Sequence, residues 1–194
     1  MREVIRSVFV RGAQLAVLPL IALCWIERVT FGAERCFGAC AELLSLAPGL
    51  PGSLVRIGFY AATLRRCAFR AHISFGTVIV HRDAEIERDV YVGPYCIIGS
   101  AAIGAGAKIG SRVSITSGRH QHNTGNIQAI DSDPQFEPVS IGAQAWIGEG
   151  AIVMANVGRS SIVGAGSVVT GAVPDGWTVV GNPARRLERL AGNG

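Results

Sequence analysis

The sequence predicts a mostly β protein, a solenoid of short stacked strands that follows a helical N-terminal region. Three observations lead to this prediction: apolar residues recur every six positions from Val80 onward, glycine is abundant at 25 of 194 residues, and the first third lacks the sixfold rhythm. We expect helices in residues 1–71, the solenoid in residues 72–184 with a loop insertion at 116–138, and a C-terminal tail in residues 185–194.

The N-terminal region begins with an apolar stretch. Residues 12–26 carry a single polar side chain, Gln14, and contain Pro19. At about 1.5 Å per residue they are shorter than a bilayer core of about 30 Å. Because no Ala-x-Ala pattern follows, we expect no signal peptide. A second helix is expected over residues 37–47. A third, capped by Ser53, is expected from Leu54 to about residue 69.

Positive charge is concentrated in the same region. Residues 1–70 contain nine Arg and four Glu, whereas residues 71–194 contain nine basic and ten acidic residues. Basic apolar helices are typical of proteins on anionic membrane surfaces. In the third helix four arginines are expected to lie off the apolar face: Arg56, Arg65, Arg66 and Arg70.

Three interpretations of the helices stay open. They lie in the membrane interface, they pack on the solenoid or on oligomer partners, or the first one spans or re-enters the bilayer. The expected location is cytoplasmic, as a peripheral protein on the inner face of the membrane. We expect no nucleic-acid partner, because aromatic and basic residues are not interleaved in the way that stacks bases.

The five cysteines, Cys24, Cys36, Cys40, Cys67 and Cys96, form no CxxC pair, and their number is odd. We interpret them as small core residues in a reducing compartment, and we expect no metal site.

The repeat can be written in units of six. Before the interruption the units are VHRDAE, IERDVY, VGPYCI, a short IGSAA, IGAGAK and IGSRVS; after it they are IGAQAW, IGEGAI, a short VMAN, VGRSSI, VGAGSV and VTGAVP. A chain that turns a corner every six residues closes a triangular coil every eighteen. The aliphatic first residue points inward, the fifth must be small, and glycine at the second place is expected to serve a tight corner. Each coil buries its core by stacking on its neighbours.

This pattern resembles the hexapeptide-repeat acyltransferases, whose fold is the left-handed parallel β-helix. The segments AWIGEGAIV, VGAGSVVT and VVGNPARRL resemble the galactoside, maltose and xenobiotic acetyltransferases, whereas SFGTVIVHRDAEI and VYVGPYCIIG are similar to polysaccharide-biosynthesis acetyltransferases. The resemblance covers about residues 72–190 and alone supplies the handedness. It implies acetyl-CoA as donor, a sugar or glycan acceptor, and a homotrimer with sites between chains.

The interruption at residues 116–138 contains His120 and His122. Histidine accepts a proton near neutral pH, and a sugar hydroxyl needs such a base when it attacks a thioester. The resemblance places the catalytic base at the start of this loop. Both histidines align with it, and His122 fits better. Asp131, Asp133 and Glu137 of the loop are interpreted as solvated charges rather than as site residues.

The resemblance also implies a coenzyme groove. Trp146, Gly148 and Glu149 correspond to positions beside the pantetheine arm, Ala165 and Thr170 to backbone contacts, and Asn182, Pro183, Arg185 and Arg186 to the turn over the adenosine. Arginines there would pair with phosphates. Three departures weaken this match, and one of them is the VMAN step, which is two residues shorter than a full unit. Gly171 stands where many relatives have lysine, and Glu188 stands where a basic residue is common.

Three other functions compete with O-acetylation. N-acetylation of an amino sugar would use the same base and groove. A non-catalytic β-helix scaffold would not bind acetyl-CoA. A γ-type carbonic anhydrase needs three histidines on one metal, and the placement of the four histidines here does not resemble that family.

Overall fold

The computed structural model describes residues 2–116 and 138–187 as four helices followed by a parallel β-helix. The helices are α1 (Arg2–Ala16), α2 (Leu18–Phe31), α3 (Arg35–Ser45) and α4 (Gly49–Thr63). The strands that follow are two or three residues long and stack into three sheets, which form the three faces of a prism.

The three sheets, named A, B and C in the order the chain visits them, contain four, seven and five strands. Sheet A contains β1 (Arg66–Cys67), β4 (Glu85–Ile86), β7 (Ala101–Ile103) and β10 (Val139–Ile141). Sheet B contains β2 (His72–Ile73), β5 (Tyr91–Val92), β8 (Lys108–Ile109), β11 (Trp146–Ile147), β13 (Ile162–Val163), β15 (Thr178–Val180) and β16 (Arg185–Arg186). Sheet C contains β3 (Val78–Ile79), β6 (Ile97–Ile98), β9 (Ser114–Ile115), β12 (Ile152–Val153) and β14 (Val168–Val169).

All strand pairs are parallel except β15 with β16. Single bridges at Val157 and Val173 continue sheet A into the later coils. Strand β1 already pairs with β4, so the first coil begins before residue 72.

The sixfold repeat is confirmed in the core. The aliphatic first residues are buried, as at Ile86, Val92 and Ile109, and the fifth places hold small buried residues such as Ala107 and Ala145. This inward stack is the hydrophobic core of the β-helix.

Two details of the predicted register are wrong. Val80 is largely exposed, and Ile79 occupies the core position instead, so the first step is seven residues long. The last unit also contains a second four-residue step, from Val169 to Val173, and both of these residues are buried.

The glycines at the second place have a different role from the one predicted. None of Gly93, Gly104, Gly110, Gly142 or Gly148 has a positive φ. A side chain there would meet the backbone of the next coil; a Cβ on Gly142, for instance, would lie 2.4 Å from the amide nitrogen of Arg159. The left-handed conformation occurs two places later in the unit, at residues such as Asp89 and Gln144. Close approach between coils therefore selects these glycines.

The third predicted helix is displaced. Helix α4 starts at Gly49, with Pro51 in the first turn where no amide donor is needed, and ends at Thr63. Leu64 is extended because the chain then enters β1, whose pairing with β4 prevails over helical periodicity. Ser53 does not cap the helix; it is buried, and its hydroxyl lies 3.2 Å from Nδ1 of His72.

The helices pack on one another and on the first coil, where they supply partners to the open end of the β-helix. The Arg6 guanidinium donates to the carbonyls of Phe69 and Ala71. The hydroxyl of Tyr60 accepts the amide proton of Ile79 at 3.1 Å. We call α1–α4 the helical cap.

Arg56 is buried in the centre of this cap, contrary to the prediction that it lies off the apolar face. Its guanidinium donates to the carbonyls of Ile73, Leu44, Ser45 and Ala47, at 2.7 to 3.2 Å. Burial lowers the pKa of Arg56. Carbonyls at the end of α3 and on the first coil thus satisfy the charge, a tertiary arrangement that helical periodicity does not encode.

All five cysteines are free thiols. Burial raises the pKa of Cys24 to about 12, with a further contribution from Cys40, and burial raises the pKa of Cys67 to about 12 as well. Cys24, Cys40 and Cys96 are core residues, as predicted, whereas Cys36 and Cys67 are only partly buried and pack against the core.

No single helix among the described residues has the length and apolarity needed to cross a bilayer. The segments Ile5–Ala16 and Leu18–Phe31 meet that test only together, and they are bent by 65° relative to each other.

Candidate functional site: a groove on sheet B

An open groove of about 680 Å³ lies on the outer surface of sheet B. Its lining combines two aromatic rings, apolar carbons and a few polar groups: Tyr91, Gly106, Lys108, Ile109, Gly110, Gln144, Trp146, Ser160 and Ile162. A concave, largely apolar surface with a few polar groups is typical of small-molecule sites.

The lining follows from strand geometry. In β5, β8, β11 and β13 of sheet B the second residue enters the core, so the first residue faces outward. Tyr91, Lys108, Trp146 and Ile162 are consecutive partners in the parallel ladder and form one outward row. The single lysine of the chain therefore lies between two aromatic residues.

Only Trp146 of this row was predicted as a site residue. The others could have been found from the repeat, because Tyr91, Lys108, Trp146 and Ile162 all occupy the sixth place of their units. Since every third unit returns to the same face, that place identifies the outward row of sheet B.

Three predicted coenzyme positions lie along the corner between sheets B and C. Gly148 follows β11, and a Cβ there would lie 2.4 Å from the amide nitrogen of Ala165 in the next coil. Glu149 is exposed, and its carbonyl accepts the amide proton of Gly166 at 2.8 Å. Successive coils therefore approach each other closely at this corner.

The predicted adenosine turn follows β15 at the same corner. The bond between Asn182 and Pro183 is cis, and both residues are exposed. β16 then pairs antiparallel with β15. Arg186 places its guanidinium 4.4 Å from the ring centre of Trp177, while the exposed Arg185 donates to the carbonyl of Ala184. These side chains offer cations near the C-terminal end of the β-helix.

Thr170 is separated from that corner by the length of β14: Ala165 precedes the strand and Thr170 follows it. Next to Thr170, Gly171 is exposed, has no positive φ, and has no atom within 4 Å of an added Cβ. A longer side chain would fit at Gly171 without strain. Glu188 lies outside the described residues.

The predicted bases, His120 and His122, lie outside the described residues, as do Asp131, Asp133 and Glu137. The two ends of their loop are described. Ile115 ends β9 in sheet C and Val139 begins β10 in sheet A, so the loop leaves from the corner between these sheets, at mid-height. In a three-faced prism this corner is opposite sheet B and its groove.

Of the two histidines in the described residues, His72 contacts the outward row. Its ring stacks on Tyr91, with centroids 5.2 Å apart. Burial, with contributions from Arg6 and Arg56, lowers the pKa of His72. Because Ser53 also contacts it, we assign His72 to the junction between cap and coil. No group of three His, Cys, Asp or Glu side chains in residues 2–116 and 138–187 is arranged to hold a metal ion.

Comparison with known proteins gives relatives along most of the chain, although no protein-family model matches it. Nodulation protein L of Rhizobium leguminosarum is 37% identical over 175 residues, which cover 86% of this chain and 81% of that protein. WbbJ of Escherichia coli, named for O-acetyl transfer in lipopolysaccharide biosynthesis, is 30% identical over 129 residues, 60% of this chain. The chain spans 63% of the length of WbbJ and 36% of the length of GlmU of Paracoccus denitrificans, a third relative that is 30% identical.

Solved structures show the same fold. Galactoside acetyltransferase, solved in complex with coenzyme A, aligns with a TM-score of 0.54 over 80% of each chain at 18% identity. A maltose O-acetyltransferase from Clostridium difficile aligns with a TM-score of 0.53 over 82% of this chain and 87% of that one, at 22% identity. The parallel coils described above, with their sixfold core positions, are shared with these left-handed β-helices. The chain belongs to the hexapeptide-repeat acetyltransferases.

Proposed function

We propose that this protein transfers an acetyl group from acetyl-CoA to a hydroxyl of a sugar, in a polysaccharide or a lipid-linked glycan precursor. A loop histidine, His122 in preference to His120, acts as general base. Family membership supports the reaction type and the donor. The name of WbbJ supports the class of acceptor.

The reaction needs three things from the protein. The base takes the proton of the acceptor hydroxyl as its oxygen attacks the thioester carbonyl. A backbone or side-chain donor stabilises the negative charge that develops on the carbonyl oxygen. The C–S bond then breaks, the thiolate of coenzyme A leaves, and the protonated histidine returns its proton to the sulfur. The products are the sugar ester and free coenzyme A.

The relation between loop and groove carries this proposal. The loop is anchored at the corner opposite sheet B, at the height of the coils that contribute Lys108 and Trp146. We infer that the loop of one chain reaches the groove of a neighbouring chain, so that each site is completed between subunits of a homotrimer.

The surface chemistry of the three sheets supports this assembly. Sheets B and C expose apolar side chains, including Trp146 and Ile162 on sheet B and Ile97 and Ile152 on sheet C. The first coils of sheet A instead carry ion pairs, Arg65 with Glu85 and Arg66 with Glu87. A cyclic trimer that joins sheet B of one chain to sheet C of the next covers the two apolar faces.

The donor is proposed to lie along the groove and the corner between sheets B and C. Trp146 would face the pantetheine arm, and the backbone at Gly148, Glu149 and Ala165 would lie along it. Thr170 follows β14 at the corner that also carries the loop, so it would approach the arm from the neighbouring chain. Arg185 and Arg186, with Asn182 and Pro183 in the same turn, would meet the adenosine phosphates. The absence of a lysine at Gly171 predicts modest affinity for the coenzyme.

The decisive experiment replaces each loop histidine by alanine, with Gln121→Ala as the matched control from between them. Thiol release from acetyl-CoA is measured with a panel of sugars that offer hydroxyl or amino groups, and calorimetry measures coenzyme binding. We expect His122→Ala to lower turnover by at least about a hundredfold while coenzyme affinity is retained. Gln121→Ala should stay within a few-fold of the wild type.

Each alternative has its own result. If neither histidine variant loses more than a few-fold, the proposed base is wrong. Turnover with amino sugars only would replace O-acetylation by N-acetylation. Failure to bind coenzyme A at millimolar concentration would favour a scaffold, and a monomer with full activity would exclude the site between subunits.

A further inference from the structure

Helix α2 is apolar on two opposite faces. Ile21 and Cys24 are buried against the helical cap. On the other side Leu18, Ile26 and Val29 are 51%, 60% and 80% exposed. A helix that is apolar all round is normally enclosed. The chain encloses one side of α2 and leaves the other side open.

Helix α1 repeats this arrangement. Val8, Phe9 and Leu15 are exposed at spacings that place them on one side of a helix, whereas Val10 is buried. Both α1 and α2 pack on α4, so their exposed sides are turned away from it. We call the six exposed side chains the outer apolar face: Val8, Phe9, Leu15, Leu18, Ile26 and Val29.

The charges beside this face are positive. Arg11 and Arg28 are exposed on α1 and α2. Between residues 5 and 31 the sequence has one acidic residue, Glu27, which is half-buried and accepts the amide proton of Cys36 at 2.8 Å. An apolar surface bordered by arginines complements an anionic lipid bilayer, where long cationic side chains reach the headgroup phosphates.

Trp25 is placed at the edge of the same surface. Its indole nitrogen donates to the carbonyl of Ala62 at 3.1 Å, and the guanidinium groups of Arg28 and Arg82 lie 5.7 and 4.8 Å from the ring centre. The ring is still 44% exposed. A tryptophan with an anchored polar end and an exposed ring is typical of the membrane interface.

We propose that the outer apolar face inserts in plane into the headgroup and acyl boundary of a lipid bilayer, so that α1 and α2 lie on the membrane. The 65° bend between them suits two short helices in the interface. A second copy of the chain fits the surface less well, because a two-fold contact joins two copies of the same surface and so brings two sets of bordering arginines into one interface. This proposal is independent of the proposed acetyl transfer.

The structure also indicates whether apolar or electrostatic interactions supply more of the membrane binding. Arg65, Arg66 and Arg70 form ion pairs with Glu85, Glu87 and Asp89 of the coils, and Arg56 is buried. Much of the positive charge that the sequence places in the N-terminal region is therefore used inside the protein. Insertion of apolar side chains, rather than a basic patch, must supply most of the binding, so binding should resist salt.

The test is flotation of the full chain with vesicles of phosphatidylcholine and phosphatidylglycerol in a 3:1 ratio (about 25% anionic lipid). The variant Leu18→Ser/Ile26→Ser/Val29→Ser removes apolar carbon from exposed positions, so its fold should persist, as its melting curve will show. The control is Leu187→Ser, at a side chain that is 52% exposed at the opposite end of the β-helix.

We expect the wild type and Leu187→Ser to float with the vesicles, and the triple variant to bind at least about a hundredfold more weakly. Raising the salt to about 1 M should weaken wild-type binding by less than about tenfold. Equal binding by the triple variant, or complete loss of wild-type binding in salt, would overturn the proposal. So would a wild type that stays with the soluble fraction while the triple variant forms a smaller oligomer, since a second copy would then be the occupant.

Discussion

Arg56 offers the sharpest test of how the helical cap is held on the β-helix. The substitution Arg56→Met keeps an unbranched apolar stem and removes the donors to four carbonyls. Two of these, on Leu44 and Ser45, keep backbone donors from Ala47 and Gly76. The carbonyls of Ile73 and Ala47 lose the donor that Arg56 supplies.

The expected destabilisation is about 3 kcal/mol. Each buried carbonyl that loses its partner costs about 1–3 kcal/mol. The substitution also removes the desolvation cost that the buried guanidinium carries in the folded state. This gain offsets part of the cost of leaving two carbonyls without a donor. For a domain of this size about 3 kcal/mol corresponds to a fall in Tm of about 6–12 °C.

The assay is thermal and urea unfolding at a fixed protein concentration, since any oligomer would make Tm depend on concentration. The matched control is Arg35→Met, at an exposed arginine on α3, which should change the free energy of unfolding by less than about 0.5 kcal/mol. If Arg56→Met and Arg35→Met unfold within about 1 kcal/mol of each other, the hydrogen bonds of Arg56 do not hold the cap.

Three further predictions concern the coils, the junction and the groove. Gly142→Ala should lower Tm by several degrees, because the added Cβ would press on the backbone of Arg159. The control Gly38→Ala, in an open position on α3, should instead raise the free energy of unfolding by up to about 1 kcal/mol. Melting curves that shift in the same direction for both variants would contradict the close-approach argument. Burial and two nearby guanidinium groups lower the pKa of His72 in the folded chain. When the pH is below about 6.5, the ordinary pKa of histidine, the unfolded chain therefore binds a proton that the folded chain does not. Stability should therefore fall as the pH drops from about 7 to 5, and His72→Gln should flatten that dependence; an unchanged pH profile would remove His72 from the junction. Gly171→Lys should tighten coenzyme A binding by about two- to tenfold in calorimetry, because the open site admits the side chain and the family resemblance implies a phosphate-binding lysine at this position. An equal gain from Gly171→Gln would exclude the charge as the cause.

Much of the β-helix could be predicted from residue types because its contacts repeat. An aliphatic residue at the first place and a small one at the fifth see the same neighbours in every coil, so local pattern and tertiary environment coincide. Residue types do not predict the irregular steps of the repeat in the same way. At residues 79–80 two adjacent aliphatic side chains fit the core position, and only stacking on the next coil selects Ile79.

The helical cap shows the opposite case. Helical periodicity places Arg56 away from the apolar residues, yet in the fold it is buried where carbonyls from α3 and β2 converge. Periodicity also extends the last helix beyond Thr63, where strand pairing ends it. Both outcomes depend on partners that are distant in sequence.

By itself the sequence determined the solenoid, most of the inward positions, the interruption and its two histidines, because each of these depends on residue type at a fixed spacing. The tertiary structure alone decided that the second-place glycines serve close approach, that Gly106, Gln144 and Ser160 join the outward row in one groove, and that the histidine loop is anchored opposite it. The physical reason is that these features arise between coils and between faces, where residues far apart in the chain meet across a few ångströms.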